Sequence, residues 1–177
     1  KYALEQYKPS VRKTPESSNE SIWHMLNEDA WAKTTVKSFV GIFGYQSILM
    51  SNKIYYSYLS LWLIGGLGCL LKFKDLFIYK KEEKSKYILN YIFVIAIIIP
   101  ILLSIIYSYT SDFQPQGRYI MGIIIPFMYF VVNGIQTMLE KFIKSEKIRN
   151  IIIIMIMLLI IAISFKAIFS YVIPAYN

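Results

Sequence analysis

Ser111-Asp112-Phe113-Gln114-Pro115-Gln116-Gly117-Arg118-Tyr119 is the stretch of this 177-residue chain whose residue types and spacing come closest to chemistry. Arg118 carries a permanent, planar cation whose fork of N–H donors matches two oxygens of a phosphate or carboxylate. Gln114 and Gln116 each offer donors and acceptors that could bind sugar hydroxyls, and Gly117 lets a backbone come close. An apolar run begins at Tyr119. Its helix would therefore start beside Arg118, where unpaired N–H groups and a partial positive charge favour an anion. Together these groups could hold a lipid-linked phosphate. The residues alone favour a plainer reading, in which Arg118 snorkels to the lipid headgroups and Tyr119 is an aromatic anchor. Asp112 is a loop carboxylate, and such a group is ordinarily solvated rather than catalytic. The catalytic residue is left unknown.

Other candidates are weaker. His24 is the one histidine and Cys69 the one cysteine. With no second His or Cys at ligand spacing, no metal site, cofactor or disulfide framework is expected, and His24 reads as exposed or capping. Asn19-Glu20-Ser21 fits a glycosylation acceptor, a triplet that arises often by chance. Lys166 interrupts an apolar run near its outer end and is expected to snorkel. Asn133 and Gln136 could bridge helices or line a pathway, and bridging is the favoured expectation.

The elements that must position these residues are set by composition. The chain is 56% hydrophobic, and runs such as Ile151-Ile152-Ile153-Ile154 would cover every face of a helix. Such faces need lipid as solvent. Crossing the hydrocarbon takes ~20 helical residues at about 1.5 Å rise. Four runs qualify, at about 54–72, 88–107, 119–139 and 151–173. The expected class is all-α, a polytopic membrane protein whose residues 1–53 form an extracytoplasmic loop and interfacial helices ahead of a four-helix region, 54–177. Residues 1–20 read as an irregular linker and Ser21–Met50 as amphipathic helices at the membrane surface. Gly65, Gly66 and Gly68 are expected to allow close helix packing, and Pro100 and Pro126 to kink their spans. The chain begins with Lys1 and shows no basic-then-apolar leader in its first thirty or so residues, so it reads as a piece of a longer protein.

The net charge of +8 would suggest nucleic acid in a soluble protein, but here it sits largely in short loops, and no nucleic-acid partner is expected. The first connection holds Lys72, Lys74, Lys80, Lys81, Lys84 and Lys86, and the third holds Lys141, Lys144, Lys147 and Arg149. The second holds Arg118 alone. Basic loops stay in the cytoplasm, which puts the second connection, the amino-terminal segment and the tail outside. Lys1, Lys8, Arg12, Lys13, Lys33, Lys37 and Lys53 in that segment run against the rule, which longer segments obey less strictly.

Phe113-Gln114-Pro115-Gln116-Gly117-Arg118-Tyr119, followed by an apolar span with Pro126, resembles the carboxy-terminal part of a bacterial family of polytopic membrane proteins of unassigned function, distantly grouped with the GT-C membrane glycosyltransferases. Members also tend to carry Ser-Phe-x-Gly-x-Phe-Gly-aromatic before an earlier span, matched by Ser38-Phe39-Val40-Gly41-Ile42-Phe43-Gly44-Tyr45. The resemblance covers roughly residues 31–139. It implies an envelope protein of the cytoplasmic membrane, transferring sugar from a polyprenyl-phosphate donor at the outer face. Membrane lipid and a polyprenyl-phosphate-linked sugar are then the implied partners, contacted by Arg118, Gln114, Gln116 and Tyr119. By the same analogy the catalytic acid lies outside this sequence. A transporter or flippase subunit for envelope precursors is the competing expectation; it would call for an internal repeat or a polar pathway, and neither is visible, while a third is a scaffold whose basic cytoplasmic loops hold anionic lipid.

Overall fold

A computed structural model describes residues 14–44, 46–78 and 84–176. Residues 1–13 of the expected linker, Tyr45 of the aromatic motif, and Lys80 and Lys81 of the first basic loop lie outside the described residues. Among the described residues the chain is all-α apart from one antiparallel pair of two-residue strands. Four helical runs among the described residues are long and apolar enough to cross a bilayer: Asn52–Leu71, Lys84–Thr110, Gly117–Phe142 and Glu146–Tyr176. It is a multi-pass membrane protein. Each run starts before the apolar stretch that marks it, because hydropathy records the hydrocarbon thickness while a helix continues into the headgroup layer. The residues group into two compact units, 14–40 with 96–123 and 41–95 with 124–176.

In the first unit, α1 (Ile22–Asn27) is capped by Ser21, whose hydroxyl accepts the His24 N–H at 3.1 Å. It leads to α2 (Trp31–Gly41), whose first ten residues belong to this unit. Both are amphipathic as expected, with Met25, Trp31 and Thr35 buried and Trp23 exposed. Their partner is the end of the long helix Lys84–Thr110, named α5 below. The Trp31 indole donates to Ser108 Oγ at 2.8 Å, Tyr109 Oη donates to the Glu20 carbonyl at 2.9 Å, and the Glu16 N–H reaches the Tyr109 carbonyl at 3.3 Å. The amino-terminal segment and the loop after Thr110 therefore share one side of the membrane. The positive charge of Lys33 and Lys37 does not separate them.

The second unit opens on a hairpin, β1 (Ile42–Phe43) and β2 (Ile48–Leu49), where surface helix was expected through Met50. Gly44 turns the chain at φ 54° and Gln46 at φ 69°, a left-handed conformation that glycine takes without a Cβ penalty. Next come α3 (Asn52–Leu71) and the short α4 (Phe73–Phe77). After α5, a 3-10 run (Gly117–Ile123) passes into α6 (Ile124–Phe142). The expected kink at Pro126 resolves into this change of winding. Pro126 stands in the first turn of α6, where its missing N–H costs little, whereas Pro100 lies inside α5. The fourth span is not one uninterrupted helix: α7 (Glu146–Ala167) gives way to a π segment (Ile168–Val172) and α8 (Ile173–Tyr176).

The tightest packing joins α3 to α6. A Cβ on Gly68 would fall on the backbone of Gly134, one on Gly134 on the backbone of Gly65, and one on Gly65 would lie 2.7 Å from the Val131 carbonyl oxygen. Gly66 faces open space, so it takes no part in the packing expected of all three glycines. The Trp62 and Phe127 rings meet edge to face, 5.1 Å apart, beside this seam. Polar bridging is done by residues other than those expected. Asn133 donates to Tyr129 and Gln136 to Glu140, each within its own helix. The wholly buried Asn90 instead donates to the Leu76 carbonyl at 2.7 Å and accepts the Tyr129 hydroxyl at 2.9 Å, tying α4, α5 and α6. Gly134→Leu should destabilise the protein by about 3 kcal/mol or more through overpacking against backbone that cannot yield. Gly66→Leu should be close to neutral. Thermal unfolding in detergent checks both.

Candidate functional site

The loop between α5 and the 3-10 run hangs from one buried hydroxyl. Ser108 is wholly buried, and its Oγ accepts both the Trp31 indole N–H and the Gln114 N–H, the latter at 3.3 Å, while lying 3.3 Å from the Gln114 carbonyl to which it donates. The Ser111 and Asp112 N–H groups close the helix end on the Tyr107 carbonyl. Pro115 then disfavours helix for Gln114, and the Gln116 N–H closes a tight turn on the Gln114 carbonyl at 2.8 Å before the 3-10 run starts at Gly117.

The side chains of this loop form two groups. In one, Gln116 Nε2 donates to Gln114 Oε1 at 2.7 Å, and Gln114 Nε2 donates to Asp112 Oδ2 at 2.7 Å. Every amide dipole in that ladder points its donor toward the Asp112 carboxylate. Gln114 is thereby held at both ends, and the Gln116 carbonyl is the ladder's outer acceptor. In the other group, Arg118 donates from Nη2 to Tyr119 Oη at 3.2 Å, and its guanidinium carbon lies 5.0 Å from the Tyr119 ring centroid. The Tyr107 ring lies 6.5 Å from that of Tyr119. Arg118 is exposed, and among the described residues no carboxylate pairs with it. The two groups meet through the backbone, where the Tyr119 N–H donates to the Gln116 main-chain carbonyl at 3.2 Å.

Two expectations are corrected by this geometry. Gly117 is buried, and a Cβ there would overlap the backbone of Ser38 and Phe39 in α2, so its freedom serves a helix crossing and not the approach of a sugar. The α-helix proper begins at Ile124. Arg118 thus sits in a 3-10 turn, and the helix-terminal charge expected beside it is that of a short, differently wound segment. Gln114, named in sequence as a sugar-hydroxyl contact, has one amide N–H on Asp112 and its amide oxygen on Gln116.

The same contact has a second consequence. Ser38-Phe39 and Gly117 belong to the two sequence motifs that stand far apart along the chain, and the fold presses them together. Sequence reasoning missed Trp31 and Ser108, which support that junction. It also missed what surrounds His24. Glu20, His24 and Asp29 each place a ligand-type atom within 4.8 Å of the others'. A search for a second His or a Cys passes over two carboxylates gathered by turns at either end of α1. Comparison of the chain with protein-family models, with curated proteins and with solved structures finds no match in any of the three.

Proposed function

We propose that this is a bacterial cytoplasmic-membrane protein related to the GT-C glycosyltransferases, which transfers sugar from a polyprenyl-phosphate donor at the outer membrane face. The observation that carries the reading is Arg118: an exposed guanidinium, braced on Tyr119, with no carboxylate partner among the described residues, at the start of a membrane-spanning run. A cation so placed matches the phosphate of a lipid whose tail lies in the bilayer. Contact between the two motifs of the resemblance supports treating them as parts of one site.

In the transfer, the acceptor hydroxyl oxygen attacks the anomeric carbon, the bond from that carbon to the phosphate oxygen breaks, and the acceptor proton passes to a base. Arg118 stabilises the negative charge that grows on the departing phosphate. Tyr119 holds the guanidinium, and Gln116 offers its carbonyl to a sugar hydroxyl while Gln114 and Asp112 fix Gln116. The base is not assigned to any described residue. The test is titration of the purified protein with polyprenyl phosphate, followed by native mass spectrometry. One saturable lipid per chain is expected; no binding above that of a neutral polyprenol removes the reading.

A further inference from the structure

We infer that Glu20, His24 and Asp29 form a binding site for one first-row divalent cation, of the Zn²⁺ or Mn²⁺ class, opening onto a cleft at the same end of α5 as the loop that bears Arg118. Three observations lead there. The ligand-type atoms of the three residues lie within 4.8 Å of one another. His24 Nδ1 lies 3.3 Å from Glu28 Oε2 one turn on, and His24 Nε2 lies 3.8 Å from Asp29 Oδ1. A third observation is spatial and independent of those distances. Glu20 and Asp29 line a cleft of about 320 Å³ with Thr14, Pro15, Ser18 and Phe113.

The two imidazole distances assign different tasks to the two ring nitrogens. With its proton on Nδ1, on the side of Glu28, the ring would have Nε2 free to bind an ion beside Asp29 Oδ1, as where a carboxylate orients a metal-bound histidine. At 3.8 Å, Nε2 and Asp29 Oδ1 are too far apart to share a hydrogen bond. Two donors about 2.1 Å from one ion lie roughly 3.0 Å apart at a right angle and about 4.2 Å apart when opposed. The observed 3.8 Å falls inside that window, and side chains at the surface need move only slightly to bring Glu20 in. An imidazole with two carboxylates suits zinc or manganese better than the all-oxygen shells of calcium or magnesium. Three protein ligands leave coordination positions for water or an oxyanion in the cleft. The backbone that carries Glu20 is held by Tyr109 Oη, a contact made by α5 and not by the cluster itself.

The cation site does not depend on the sugar-transfer reading and is measured without it. Purified, tag-free protein is titrated with Mn²⁺ alone and followed by electron paramagnetic resonance. Because the chain has one histidine, a ¹⁴N coupling on bound manganese reports His24 specifically. One saturable site with that coupling is expected. His24→Ala should abolish the coupling, and His24→Ala and Asp29→Asn should each weaken binding at least tenfold. Asp29 is exposed, so Asp29→Asn decides the matter should His24→Ala fold poorly. Binding that does not saturate, binding without nitrogen coupling, or unchanged binding in Asp29→Asn overturns the site.

Discussion

Arg118→Ala is expected to weaken polyprenyl-phosphate binding by about 10- to 100-fold, with the protein expressed and folded as before. The size follows from the chemistry of the contact. Hydrogen bonds to a charged partner contribute about 1.5–3 kcal/mol, and each 1.4 kcal/mol is roughly tenfold in affinity. The structural cost is small because Arg118 is exposed and its one described hydrogen bond, to Tyr119 Oη, runs along the surface. An exposed cation over an aromatic ring contributes only about 0.5–1 kcal/mol. Arg118→Lys should fall between the two. It keeps the charge but loses the planar fork and the stacking on Tyr119. Titration of the three proteins with the same lipid, beside thermal unfolding, separates loss of binding from loss of fold.

The second large effect is expected at Gly117. A Cβ there would fall on the backbone of Ser38 and Phe39, and backbone cannot swing aside as a flexible side-chain end can. Gly117→Ala should therefore drive α2 off the 3-10 run, at a cost of about 1–3 kcal/mol or more. The displacement reaches the loop through α2, because Trp31 on that helix donates to Ser108, and Ser108 holds Gln114. Gly117→Ala should thus lower the unfolding temperature and the lipid affinity together. Gly122→Ala, five residues on in the same 3-10 run and with nothing near its side, should leave both unchanged. Equal behaviour of the two variants would mean that the crossing of α2 over the loop does not hold the site.

The spans were legible in the sequence because lipid demands apolar surface on all sides of a helix, and 6% burial in the most apolar stretch of the fourth span shows such a surface directly. Gly65 and Gly68 were legible for a related reason, since small residues in a span have few uses besides letting helices touch. Their partner Gly134 stands alone in its sequence neighbourhood and gave no such signal. The hairpin at 42–49 was hidden by its length: two residues per strand carry no alternation to read, and only Gly41 and Gly44 punctuate it. Among the site residues, Arg118 and Tyr119 were readable as an adjacent cation and ring. The ladder through Gln114 was not, because an amide's partners are decided by the path of the loop. Asn90 was passed over for a similar reason, since whether a polar residue in a span binds its own helix or a neighbour depends on which face the fold buries.

The central claim is that the loop bearing Arg118 faces the outside of the cell while Lys144 faces the cytoplasm. Single cysteines at Ser111, one turn from the buried Ser108, and at Lys144 test it in a chain whose native Cys69 is replaced by serine. Both positions are exposed. A membrane-impermeant maleimide applied to intact cells should label Ser111→Cys fully and Lys144→Cys only after the membrane is opened. The reverse pattern would put Arg118 in the cytoplasm, away from any externally presented lipid-linked sugar, and would contradict the account.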